Sequence, residues 1–260
     1  MKFVIAVDLE GVAGVVGYPN MGLTEANCPD EYALACRMAV RAVSAAARAL
    51  FDGGAAEVVV WDNHGRGVNL PIDQLDPRVS VFRGSTRERW RMMDGSYSGV
   101  LLIGYHAMAG TPMAVLAHSY SSEHIQSIHI NGVAVGEIAA DAHVAGAKGA
   151  PVIFVESDRA GVDEARRFMP WVRGVITKTG YGRNAAIGPH PDVIDQRTYD
   201  EVTEAVRHLS DMRPFVFPGP LTVDYRYMRM EGARDHALRA GGELLDEYTA
   251  RFRMDELELF

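Results

Sequence analysis

Two cysteines in 260 residues exclude a disulfide-stapled fold. Cys28 and Cys36 stand eight apart, which suits neither a CxxC redox pair nor a zinc knuckle, and they fit a reducing compartment. No apolar run approaches the roughly 18 residues of a membrane span. Phe3–Val7 is apolar over only five residues and ends on Asp8, too short for the apolar region of a secretion signal. These features predict a cytoplasmic protein without membrane contact. Blocks of like charge, low-complexity tracts and internal repeats are missing. The formal net charge of −8 opposes non-specific binding to nucleic acid, which needs clustered lysine and arginine. A compact HExxH metal motif is missing too.

What remains is an ordinary globular composition, 48% hydrophobic and 23% charged. A chain of this length buries roughly 70–75% of its unfolded surface and can hold a core without staples. Residues 3–8 read as a buried strand. The connection up to about Cys28 carries Gly11, Gly14, Gly17, Pro19 and Gly22, and loops this long are often functional. Pro29-Asp30-Glu31 opens a helix that Gly53-Gly54 ends. Strands are predicted at 56–61, 79–82, 98–105, 124–130, 151–155 and 172–177. Helices are predicted at 135–148, 158–168 and 192–211. Strands alternating with helices predict an α/β fold, a three-layer sandwich with a mostly parallel sheet. The chain from Pro218 onward reads as a smaller, less regular C-terminal part. The expected division is therefore 1–217, the catalytic α/β unit, and 218–260, a subdomain.

Three of the apolar strands run into a metal-ligating side chain: Asp8, His64 and His106. In an open α/β sheet the carboxyl ends of parallel strands face one crevice, so these residues can meet there. Asp8 and Glu10 share a face if the strand persists through Glu10. Glu137 opens a helix after the Asn131-Gly132 turn. Two imidazoles and three carboxylates suit zinc. Five donors exceed one tetrahedral site, which points to a pair of ions with Asp8 as the bridge. On spacing alone the plain alternative stays open: strand-end acids acting as caps, and histidines satisfied as ordinary polar residues. Asp62, two before His64, is a candidate to orient that ring. Asp141, four beyond Glu137 on the same helical face, is a candidate support for it, with a solvated helix acid as the alternative.

The segments Val7-Asp-Leu-Glu-Gly-Val-Ala-Gly14, Asp62-Asn-His64, Gly104-Tyr-His-Ala107, His118-Ser119 and Ile130-Asn-Gly-Val-Ala-Val-Gly-Glu137 together resemble the zinc-dependent D-aminopeptidase family, peptidase family M55. The resemblance implies two zinc ions per chain, held by Asp8 as bridge with Glu10, His64, His106 and Glu137. It implies His118 as the catalytic residue, either as an acid/base or as a nucleophile. Lys178 and Arg183 resemble a later K-x4-R segment that binds substrate or supports the site. The implied reaction is release of an N-terminal residue, D-configured, from short peptides or amino-acid amides by metal-activated water. The competing readings are a metal-dependent hydrolase of other small amides or esters, and a non-catalytic peptide-binding protein linked to transport. The resemblance also implies a ring-like homo-oligomer, a decamer among the candidate sizes. The His106–His118 loop and the Gly65-Arg66-Gly67 stretch depart from the family pattern, which leaves substrate preference open.

Overall fold

A computed structural model describes residues 1–86 and 89–257. Its central feature is a six-stranded, wholly parallel sheet in the order β3-β2-β1-β4-β7-β8. The strands are β1 (Lys2–Val7), β2 (Glu57–Asp62), β3 (Ser80–Phe82), β4 (Gly99–Tyr105), β7 (Val152–Ser157) and β8 (Arg173–Ile176). β1, β4 and β7 are mostly apolar and almost wholly buried because both of their faces are covered, as a parallel sheet requires.

Helices α1 (Pro29–Asp52) and α4 (Pro191–Arg207) cover one face, and α2 (Glu137–Ala147) and α3 (Arg159–Phe168) cover the other. The alternation along β1 decides the partners. Phe3, Ile5 and Val7 pack toward α1 and α4, while Val4 and Ala6 pack toward Ile138 and Ala142 of α2. The three-layer α/β sandwich expected from the sequence is present. Asp158 caps α3 as its sequence position predicted, its carboxylate accepting from the Gly161 amide at 2.8 Å. The predicted helix over 192–211 is shorter: α4 ends at Arg207 and a 3₁₀ turn follows at Leu209–Asp211.

A second, antiparallel sheet has the order β12-β13-β11-β5-β6. It combines β5 (Ile125–Ile130) and β6 (Val133–Val135) with β11 (Leu221–Tyr227), β12 (Glu243–Asp246) and β13 (Thr249–Met254). This sheet therefore draws strands from both sides of the expected 217/218 division, whose last three residues lie outside the described ones. Helix α5 (Met230–Ala240) packs on β11 and β13. A short hairpin, β9 (Thr179–Gly182) with β10 (Ala185–Ile187), follows β8.

Two features of this topology prepare the site. The chain steps from β1 to β2 on one side and returns to β4 on the other, so β1 lies at the switch in strand order where α/β sheets open a crevice. On the second sheet, the β5–β6 hairpin turns on Asn131 (φ 51°) and Gly132 (φ 79°), the left-handed pair that a two-residue hairpin needs. β6 then passes through Gly136 directly into α2, whose first residue is Glu137.

Candidate metal centre

β2, β1 and β4 are neighbours, and the residues that follow them are Asn63-His64, Asp8 and His106. Parallel registry aligns the ends: Val7 pairs with Asp62 on one side and with Ile103 on the other. The strand does not persist to Glu10. β1 stops at Val7, and Asp8–Gly11 turns over the end of β4, with the Asp8 amide donating to Ile103 O at 2.8 Å and the Gly11 amide to Gly104 O at 2.7 Å. Asp8 and Glu10 converge through this turn rather than through the pleat. The crossing leaves no room for side chains. A Cβ on Gly104 would lie 2.1 Å from Asp8 O, and one on Gly11 would lie 1.9 Å from Tyr105 O.

The six expected residues form two adjoining groups of donors. Asp8, Glu10 and His64 make one, and His106, His118 and Glu137 make the other, with the donor atoms of each group within 4.8 Å of one another. Asp8 faces both. Its Oδ1 lies 2.9 Å from His64 Nδ1, and its Oδ2 lies 3.5 Å from His106 Nε2. Glu10 Oε2 is 3.2 Å from His64 Nδ1, and Glu137 Oε1 is 3.2 Å from His106 Nε2.

Each imidazole has its outward nitrogen committed to a backbone carbonyl. His64 Nε2 meets Leu23 O at 2.7 Å, His106 Nδ1 meets Ala107 O at 3.0 Å, and His118 Nδ1 meets Leu116 O at 2.9 Å. In a neutral ring this fixes the N–H on the outward side and turns the other nitrogen, as a lone pair, toward the carboxylates. Glu10 Oε2 and His106 Nε2 are buried without a hydrogen bond of acceptable geometry. Such unsatisfied polar atoms are costly unless something binds them.

The electrostatics point the same way. Burial and the charge of Glu10 push the Asp8 carboxyl up. Burial also acts against Glu10, but His64, His106 and His118 outweigh it and hold that carboxyl well below its usual range. Burial disfavours a charged His106, yet Glu137 and Asp8 overcome it and push the ring up to about 10. Glu137 is held down to about 2 by His106, His118 and Arg89 against the effect of burial. A cluster of buried carboxylates that gathers protons on its histidines is short of positive charge, the deficit a divalent cation fills.

The remaining expected residues have distinct placements. Lys178 is buried beneath the Asp8–Val12 turn and donates to Glu10 O and Val12 O, both at 2.6 Å. Burial pulls its ammonium down to about 8. Arg183 lies at the rim, where its side chain donates to Ala117 O and its own carbonyl accepts from the Leu116 amide at 2.9 Å. Asp62 does not touch the His64 ring. Its carboxylate accepts from Asn69 N, Asn69 Nδ2 and Leu70 N, and Asn69 in turn donates to His64 O. Asp141 is not a solvated helix acid but a fully buried one.

Several contributors carry no signal in the sequence. Leu23 acts through its backbone carbonyl, which any residue type supplies. The Tyr120 amide donates to Glu137 Oε1 at 2.7 Å from a backbone with φ 55°, uncommon for an aromatic residue. Glu164, buried on α3 and pushed up to about 7 by burial, accepts from the Met108 amide at 2.7 Å and so ties down the chain just beyond His106. Above the two groups of donors lies a cleft of about 800 Å³. Its lining includes Leu23 and Leu116, the paired strand residues Ile125 and Tyr227, and His236 and Arg239 of the C-terminal part.

Comparison with known proteins agrees with this architecture. The D-aminopeptidase of Bacillus subtilis (strain 168) is 28% identical over 276 aligned positions, spanning 100% of this chain and 98% of the relative. The fold matches the solved structure described as the Zn-dependent D-aminopeptidase DppA from Bacillus subtilis, a self-compartmentalizing protease. The TM-score is 0.91 at 24% identity, over 98% of this chain and 92% of that one. The model of peptidase family M55, described as D-aminopeptidase, matches residues 1–259. That match runs through every segment that builds the paired donor groups, and the chain belongs to the M55 family of D-aminopeptidases, which are peptidase hydrolases.

Proposed function

We propose that the chain is a dinuclear zinc aminopeptidase that removes an N-terminal D-residue from short peptides or amino-acid amides. The observation that carries this reading is the two-sided placement of Asp8, with one carboxylate oxygen toward His64 and the other toward His106. Asp8, Glu10 and His64 would hold one ion, and Asp8, His106 and Glu137 the other. The fit rests on the donor chemistry and on the unsatisfied Glu10 Oε2 and His106 Nε2. When bound, zinc supplies Lewis acidity at the scissile carbonyl and lowers the pKa of water to about 7.

The chain's own residues supply orientation and proton transfer. His118 stacks on His106 at 3.9 Å between ring centroids, with its Nε2 3.8 Å from Glu137 Oε1 and facing the cleft. Burial lowers its pKa, which favours the neutral ring. It can therefore take the proton of the attacking water and return it to the leaving amine. The Leu116 carbonyl holds the opposite nitrogen and fixes that tautomer. The cleft above the donor groups would receive the substrate, with Leu23, Leu116 and Ile125 among its lining residues.

A second reading for His118 follows from its grouping with His106 and Glu137: Nε2 acts as a metal donor rather than a proton carrier. One set of measurements separates these readings. Metal analysis should give two zinc per chain, and protein purified free of chelator that holds none would overturn the proposal. His118→Ala should keep both ions and lose turnover; loss of one ion assigns His118 as a donor. Paired D- and L-aminoacyl amides test stereochemistry, and equal turnover of both would exclude D-specificity.

The relative described as self-compartmentalizing supports a homo-oligomer for this chain as well, testable by light scattering and, for a decamer, by mass. A cytoplasmic location accords with two buried, unpaired cysteines. No described helix is long and apolar enough to cross a membrane.

A further inference from the structure

Behind the donor groups lies a buried polar network that the reaction itself does not use. Its centre is Asp141, on α2 one turn beyond Glu137. Four donors converge on its carboxylate. Tyr105 OH lies at 2.7 Å and Arg89 Nη2 at 2.9 Å from Oδ2; Trp90 Nε1 lies at 3.0 Å and Tyr120 OH at 3.2 Å from Oδ1. The Tyr105 hydroxyl also accepts from Asn63 Nδ2 at 2.7 Å. Burial and Asp141 raise both tyrosine hydroxyls well above their ordinary range, so they remain donors.

The pattern of neighbours is what matters. Asn63 precedes His64, Tyr105 precedes His106, Tyr120 stands two beyond His118, and Asp141 shares a helical face with Glu137. One carboxylate thus joins the ends of β2 and β4, the His118 loop and the start of α2. Tyr120 closes the circuit, since its amide binds Glu137 while its hydroxyl binds Asp141. Arg89 supplies the opposite charge and lies between the rings of Trp61 and Tyr120. A buried ionic network is weak evidence for stability, because an apolar replacement is often as stable, and in some proteins such a network serves to fix a geometry.

We propose that Asp141, acting through the hydroxyls of Tyr105 and Tyr120, is a positioning residue that sets the spacing between the two donor groups. This rests on the dinuclear reading above. Tyr105→Phe and Tyr120→Phe each delete one hydroxyl without leaving a charge unpaired, whereas Asp141→Asn strands Arg89 and risks misfolding. Zinc affinity by chelator competition should fall roughly 10- to 100-fold in Tyr105→Phe, the usual effect of losing a residue that supports a metal ligand. Its kcat should fall by about the same factor with KM within about twofold. In metal-free protein, hydrogen exchange in a peptide covering residues 118–124 should quicken about tenfold in Tyr120→Phe, because the amide bond to Glu137 loosens.

Zinc affinity, kcat and exchange all within about twofold of wild type in both folded variants would overturn the proposal. A loss of thermal stability alone, with affinity and kcat intact, would overturn it equally. If wild type binds no zinc, the dinuclear reading fails instead, and the exchange measurement, which needs no metal, still decides whether the network orders the site.

Discussion

Glu156 gives the sharpest physical test of the fold. It lies on β7, fully buried; Thr198 of α4 donates a hydrogen bond to its Oε2, and its Oε1 has no partner. Burial raises its carboxyl from 4.5 to about 7, while the Thr198 bond works in the opposite direction. That displacement corresponds to about 3 kcal/mol between the two protonation states. A folded-state value above the unfolded one means that the stabilisation is fully present below about pH 4.5, where both states are protonated. It is lost as pH rises to about 7, because the unfolded chain ionises first and the folded one must then bury a carboxylate.

Glu156→Gln keeps the shape and an acceptor for Thr198 but cannot ionise. In metal-free protein, urea unfolding of variant and wild type should nearly coincide near pH 4.5 and diverge by about 3 kcal/mol at pH 8, the variant being the more stable. With a slope of about 3 kcal/mol per molar urea, the midpoints would part by about 1 M. Titrating groups that do not interact with Glu156 cancel in the difference; Asp195 and Lys178 act on it electrostatically and contribute to the gap. A gap that stays constant from about pH 4.5 to pH 8 would refute the reasoning, since it would place the whole effect in packing.

Three further outcomes are expected. Lys178→Met leaves the buried carbonyls of Glu10 and Val12 without a donor, a cost of about 1–3 kcal/mol each, and should lower both zinc content and turnover, measured by metal analysis and amide hydrolysis. Gly104→Ala meets a φ of 73° and a contact of 2.1 Å with Asp8 O. The backbone alone costs about 1–2 kcal/mol before that overlap, so soluble yield and thermal midpoint should both drop sharply. Arg183→Met frees the Ala117 carbonyl beside His118 and should lower kcat while both zinc ions remain, the opposite of a lost ligand; unchanged kcat would assign Arg183 a passive place at the rim.

How much of this was legible in the sequence follows from what each residue contributes. Strand-end positions were readable because short apolar runs lead up to Asp8, to Asp62-Asn63-His64 and to His106. Glu137 was readable because an Asn-Gly turn and a helix start bracket it. Placing Asp8 and Glu10 on one face by strand alternation failed, because the strand ends at Val7 and a glycine-permitted crossing replaces the pleat. Asp62, a candidate to orient the His64 ring, instead holds Asn69 and Leu70, and the Leu23 carbonyl, 41 residues away in sequence, meets the ring's outward nitrogen. Asp141 was readable as a neighbour of Glu137 by helical spacing, but its burial depended on Arg89, Tyr105 and Tyr120, which no local pattern connects.

The sequence by itself determined the elements and the donor types, because hydrophobic periodicity, caps and turn residues act over a few positions and are written locally. Only the tertiary structure decided that β2, β1 and β4 are adjacent, that Asp8 faces two groups of donors, and that the C-terminal part lines the cleft through Tyr227, His236 and Arg239. Those facts depend on strand order, backbone carbonyls and the packing of distant segments, and each is a property of several parts of the chain at once.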